Sequence, residues 1–230
     1  MQINEWIKYQ EENSKNIICF DDFDVDNIKY IGGVDISFNK NNPSLACGYI
    51  TIVDFLTNDI VYEDHQNITM IEPYISGFLG FREINVYSLL LSKLKNNMPQ
   101  YYPNVVMVDG CGILHHRGFG SASHLGFVID MPTIGISKTM LCIDGLDNKN
   151  IKELFKINCK NKGDNVNLIG NNGKHYGVAL KGTSDTENPI YVSIGHKISI
   201  ATAITITLKL CKYRIPEPIR NSDIQSKLFL

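Results

Sequence analysis

The sequence predicts an α/β protein in which a mixed sheet is flanked by helices, and three observations carry that prediction. Three β-branched or aromatic-rich segments follow one another between residues 30 and 68, separated by Asn, Pro and Asp turn residues. Beyond residue 83, apolar residues at helical spacing alternate with short, wholly apolar strands. Near the C-terminus a long amphipathic helical pattern ends at Pro216 and Pro218.

Taken in order, residues up to about Lys15 form an amphipathic helix whose apolar contribution is Trp6, Ile7 and Tyr9. Tyr30–Phe38, Ser44–Val53 and Asp59–Ile68 are expected as strands of an antiparallel meander. Ile84–Leu94 places Val86, Leu89, Leu90 and Leu94 at helical spacing, and Asn104–Val108 is a continuous apolar strand, the pattern of a strand buried on both faces. A helix around Ser121–Ile129 and strands at Thr133–Ile136, His175–Leu180 and Ile190–Ser193 follow. Ser199 caps a helix running to about Lys212, with Ile200, Ala203, Ile204, Leu208 and Cys211 on its apolar face, and a last short helix contains Asp223. An antiparallel three-strand meander plus parallel strands alternating with helices is the layout of the ribonuclease-H-like folds, here expected as one domain over residues 1–230.

Composition narrows the function. The chain has 230 residues, 43% hydrophobic and 20% charged, as a water-soluble globular protein would. Its polar N-terminus is unlike a signal peptide and no run of apolar residues is long enough to span a membrane, so a cytoplasmic location, with the nucleus as a second compartment, is expected. Cys19, Cys47, Cys111, Cys142, Cys159 and Cys211 form no CxxC pair, which suggests neither a zinc site nor a disulfide framework. A formal net charge of -2 argues against coating nucleic acid by charge alone; any such site must be local, with metal ions supplying part of the positive charge.

Candidate chemistry gathers in a few segments. In GGVDISF (32–38) side-chain alternation puts Asp35 mid-strand, where a carboxylate needs a cation or a hydrogen-bonding network. Asp109 ends the apolar strand and is followed by Gly110 and Gly112, which let a ligand approach the backbone. Two carboxylates on adjacent strands make a hard-cation site suited to Mg²⁺ or Mn²⁺. Glu83, read as lying just before a helix, offers a third carboxylate, or serves only as a charge favoured by the helix dipole. DGCGILHHRGFGSASHLGF (109–127) carries five glycines and three histidines; its histidines lack zinc-site spacing, Arg117 and a histidine suit phosphate contact, and His124 reads as a capping or packing residue. Lys138 emerges at the C-terminal end of a strand, where it could orient a phosphate or remain solvated.

Together the segments GGVDISF (32–38), PYISGFLGFRE (73–83), VDGCGILHHRGFGSASHLG (108–126), PTIGISK (132–138), VSIGHKIS (192–199) and YRIPEPIRNSD (213–223) resemble the endonuclease V family in content and order. The resemblance implies a Mg²⁺-dependent enzyme, with Mn²⁺ able to substitute, that recognises hypoxanthine and cuts the second phosphodiester bond on its 3′ side. It implies Asp35 and Asp109 as metal ligands, Glu83 as a further acidic ligand, Asp223 as the C-terminal polar member, Lys138 on the reacting phosphate or water, and His115 as the histidine of the glycine loop. It also implies a wedge of Pro73, Tyr74, Ile75 and Ser76 beside the extracted base. The base pocket would be lined by Gly77, Leu79, Gly110, Gly120, Ser121 and Gly135. Ser76, where bacterial members usually have proline, and HHRGFG (115–120) resemble the eukaryotic branch, which implies inosine in single-stranded RNA as the favoured substrate; a monomer is expected. Deoxyinosine in DNA, and a non-catalytic inosine-RNA binding protein, stand as alternatives.

Overall fold

The computed structural model describes residues 2–70 and 74–230. Among these residues eight strands form one sheet: β1 (Tyr30–Phe38), β2 (Leu45–Asp54), β3 (Ile60–Thr69), β4 (Val105–Asp109), β5 (Thr133–Ser137), β6 (Asn165–Ile169), β7 (His175–Leu180) and β8 (Ile190–His196). Their spatial order is β3-β2-β1-β4-β5-β8-β7-β6. The expected meander is present: β2 pairs antiparallel with both β1 and β3. β1, β4 and β5 then run parallel.

The alternation of helices with parallel strands does not continue beyond β5. β8 pairs antiparallel with β5, and β6, β7 and β8 make a second antiparallel meander. A parallel connection needs a crossover of a dozen or more residues. The links 170–174 and 181–189 are too short for one, so these strands must reverse.

Among the described residues six α-helices complete the fold: α1 (Gln2–Asn13), α2 (Leu79–Asn97), α3 (Ser121–Ile129), α4 (Asn148–Asn158), α5 (Ile200–Leu210) and α6 (Glu217–Ser226). β4 shows why its run is apolar throughout. Val106 and Val108 pack with Ile84, Tyr87, Leu90 and Leu91 of α2 and with Ala122 and Leu125 of α3, while Val105 and Met107 pack on the opposite face with Ala203, Ile206 and Ile219 of α5 and α6. Each strand residue is thus buried against one helical layer or the other. Ser199 caps α5 as expected, its hydroxyl accepting from Thr202 N at 3.1 Å.

Sequence reading missed α4 and β6. α4 begins where the Asp147 side chain accepts from Asn150 N, and its buried stripe is only Ile151 and Phe155. Helix α2 also starts earlier than expected, at Leu79, so Glu83 lies inside the helix and is buried, not just before it. The lack of a side chain at Gly80 lets the helix pack on His124, whose Nδ1 would lie 2.8 Å from an added Cβ.

Candidate active site

The two carboxylates on β1 and β4 are neighbours by register. Val34 pairs with Val108, so Asp35, midway along β1, and Asp109, the last residue of β4, follow side by side just past the parallel ladder. The third comes from α6. Gly33 admits that helix: a Cβ there would lie 2.4 Å from the Pro218 carbonyl carbon. A polar seam then fixes it, with Ser222 Oγ donating to Gly33 O at 3.0 Å, Ser222 and Thr51 hydroxyls 2.9 Å apart, and Ser37 and Ser226 hydroxyls 2.7 Å apart. One residue beyond Ser222, Asp223 is delivered to the other two acids. Asp35, Asp109 and Asp223 each present an oxygen, all within 4.8 Å of one another.

Lys138, directly after β5, closes the group. Its Nζ lies 2.6 Å from Asp109 Oδ2 and 3.8 Å from Asp223 Oδ1, and Lys227 Nζ lies 2.9 Å from Asp223 Oδ1. Burial and the neighbouring Asp109 hold the Asp35 carboxyl well above the usual carboxylate range. Burial raises Asp109 too, although Lys138 opposes it. For Asp223 burial is outweighed by Lys227, Lys138 and the hydrogen bond with Asp35, and its pKa falls. Two acids that resist ionising beside a third that does not are an oxygen-rich site short of positive charge, which fits a hard divalent cation with carboxylate ligands.

Glu83 stands outside that converging trio. It accepts from Tyr87 Oη at 3.3 Å and is pushed up to about 8 by burial and by Asp109. At neutral pH without a cation it holds its proton behind Asp109.

Beside the trio a cavity of about 150 Å³ is lined by Tyr74, Ser76, Gly77, Leu79, Gly110, Gly120 and Ser121, with Cys111, Ser137 and Thr139. Pockets for drug-sized ligands run to roughly 300–1,000 Å³, so this one suits a single ring system. Ile75 and Gly135 are not among its lining residues. Gly135 instead lies beneath the 110–112 loop, where a Cβ would sit 2.4 Å from Gly112 N. Pro73 lies outside the described residues. Tyr74 is exposed at the cavity mouth.

The loop carrying Gly77 turns with φ +81°, a conformation glycine adopts without strain. Three donors converge on its carbonyl: Gln10 Nε2 at 3.0 Å, His115 Nε2 at 3.0 Å and Arg117 Nη2 at 3.2 Å. His115 Nδ1 accepts from Arg117 N, which fixes the ring as the Nε2–H tautomer, and burial lowers its pKa to about 4. His115 is therefore neutral and shapes the pocket rim from below. His124 is a packing residue, its ring among Tyr9, Phe81 and Phe119.

Gln10 escaped sequence reading. It is 2% exposed, and besides Gly77 O it donates to Phe119 O at 3.0 Å and accepts from Arg117 Nε at 2.6 Å. With Trp6 stacked on Phe81 at 4.8 Å, it seats α1 over the cavity. A lone glutamine in an amphipathic helix carries no signal of this; its partners are more than 60 residues away.

Comparison with known proteins agrees with this geometry. A family model described as Endonuclease V matches residues 11–224. Endonuclease V of Homo sapiens is 39% identical over 201 residues, 87% of this chain and 71% of the human protein. That of Mus musculus is 40% identical over 203 residues, 88% of this chain and 60% of the mouse protein. The solved structure of Ciona intestinalis Endonuclease V in complex with a 24mer DNA containing an inosine followed by a ribo-adenosine matches with TM-score 0.95 and 36% identity, covering 99% of this chain and 97% of that one. A. aeolicus Argonaute, at 16% identity and TM-score 0.52 over 88% of this chain and 29% of its own, shares the fold alone. The fold is the ribonuclease-H-like one expected from the antiparallel meander followed by helices and parallel strands.

Proposed function

The chain belongs to the endonuclease V family and is a nuclease, and from that premise we propose that it cuts nucleic acid beside hypoxanthine, at the second phosphodiester bond on the 3′ side, with inosine in single-stranded RNA preferred. The observation that carries this reading is a ring-sized cavity whose lining residues Gly110 and Ser137 directly adjoin Asp109 of the converging carboxylates and Lys138. The Ciona relative solved with an inosine-containing strand supports the choice of base.

In this reading Asp35, Asp109 and Asp223 hold Mg²⁺, with Glu83 behind them as a further acid. Bound there, the ion would polarise a phosphate oxygen and acidify a water. Lys138 sits between Asp109 and Asp223, where its ammonium balances the negative charge that grows on the phosphate. Gly110 and Gly120 line the cavity with main chain alone, which lets the flipped base approach the backbone closely. Tyr74, exposed at the mouth, fills the gap in the stack. The products are a 3′-hydroxyl and a 5′-phosphate.

Single-stranded RNA and DNA of identical sequence, each with one hypoxanthine, separate the readings when cleavage sites are mapped with and without Mg²⁺. Faster cutting of the RNA at the second 3′ bond is expected. Preference for the DNA would give the deoxyinosine-directed reading instead, and tight binding without product at any metal concentration would remove catalysis from the account.

A further inference from the structure

The segment from Tyr213 to Lys227 supplies Asp223 to the acidic trio, yet two of its side chains are arranged in a way the trio does not use. The guanidinium of Arg220 lies over the Tyr213 ring, 4.1 Å from its centre. Arg220 is held in turn by Glu217, at 3.3 Å. Tyr213 is nonetheless 55% exposed. A ring stacked on one face that remains so exposed has its other face open.

This pair has a defined place relative to the site. Arg220 is three residues before Asp223 on α6, hence a neighbour on the same flank of the helix. Arg214, next to Tyr213, donates from Nη2 to Lys138 O at 3.3 Å and to Pro189 O at 2.8 Å, which pins the Tyr213 loop beside the end of β5. The cavity lies toward α2 and α3; α6 covers the opposite face of the sheet. The carboxylates therefore stand between the cavity on one side and the Tyr213–Arg220 pair on the other.

We infer that Tyr213, backed by Arg220, is a stacking platform for a nucleobase of the bound strand on the far side of the cleaved bond, so that the strand is gripped both at its flipped base and beyond the reacting phosphate. Aromatic faces bind any base, and a guanidinium behind the ring adds positive charge beside the backbone. Arg214 acts as a positioning residue that holds the platform and the Lys138 backbone in one frame. The inference rests on the proposed function for the direction of the strand, but the stacking itself is read independently of cleavage.

The test uses oligonucleotides with one hypoxanthine and a 2-aminopurine reporter moved stepwise through the nucleotides on its 3′ side, bound to the whole chain in EDTA. Quenching is expected at one reporter position for the wild type and for Tyr213→Phe, and its loss in Tyr213→Ala. With Mg²⁺, Tyr213→Ala is expected to raise KM about tenfold, the order of one base stack, with the loss falling on KM rather than kcat. An abasic nucleotide at the quenched position should cost the wild type the same factor and cost Tyr213→Ala nothing more. Equal quenching by wild type and Tyr213→Ala at every position, or losses that multiply in the combination, would overturn the platform. A wild type that quenches but does not cut would instead overturn the proposed function and leave the platform standing.

Discussion

Lys138 Nζ lies 2.6 Å from Asp109 Oδ2, and the same ammonium is 3.8 Å from Asp223 Oδ1. One cation thus spans acids delivered by a strand and by a helix far apart in sequence. Replacing it by methionine leaves the fold its apolar stem and removes the charge. Lys138→Met is expected to lower kcat on a hypoxanthine-containing strand roughly a hundredfold, the scale of losing one charge-stabilising donor. Single-turnover kinetics check it; an unchanged rate would make Lys138 a solvated bystander.

Glu83 gives a pH dependence with a definite sign. Exposed glutamates titrate near 4.3, whereas burial and Asp109 push Glu83 up to about 8. Between those values the folded chain binds more protons than the unfolded one, so the stabilising contribution is complete below about pH 4. It is lost as pH rises through 8. Glu83→Gln keeps a neutral acceptor for Tyr87 and should remove that decline, making the metal-free protein more stable than wild type at pH 8 by about 4–5 kcal/mol. Urea denaturation in EDTA at pH 5 and pH 8 measures this. Parallel curves for the two proteins would show that Glu83 is not held protonated.

Gly33 tests how the third acid arrives. A methyl group there would sit within 2.4 Å of the Pro218 backbone, so α6 must move and carry Asp223 with it. Gly33→Ala is expected to cost about 1–3 kcal/mol of stability, as overpacking does, and to weaken Mg²⁺ binding, seen as a smaller rise in Tm on adding the ion. Gly32→Ala, one residue away, meets Ile52 and Pro103 side chains at 3.2 and 3.3 Å and serves as the milder control. Equal effects of the two would sever Gly33 from the site.

Much of this was legible because physical constraints acted locally. Asp35 interrupts an apolar strand and Asp109 ends one, and both patterns are visible within a few residues. The final turn of the sheet was not. Whether β8 runs parallel or antiparallel to β5 depends on the path through β6 and β7, and β6 buries only Leu168, leaving its asparagines as a misleading loop signature. α4 was obscured in the same way, by a narrow stripe of Ile151 and Phe155 among lysines. Within the site, Glu83 was recognised as an acid but misplaced before its helix, and Gln10 gave no sign at all, since its three partners come from elements folded onto it.

Asp35, Asp109 and Asp223 are proposed as the metal-dependent centre of a hypoxanthine-directed nuclease. Mapping the cleaved bond in a strand with a single inosine, by wild type and Asp109→Asn, with and without Mg²⁺, tests it most directly. The wild type should cut only with Mg²⁺ and only at the second bond 3′ to inosine, and Asp109→Asn should lose that product by a factor of at least about a thousand. Cutting by Asp109→Asn at the wild-type rate, or equal cutting by the wild type of a strand without inosine, would contradict it.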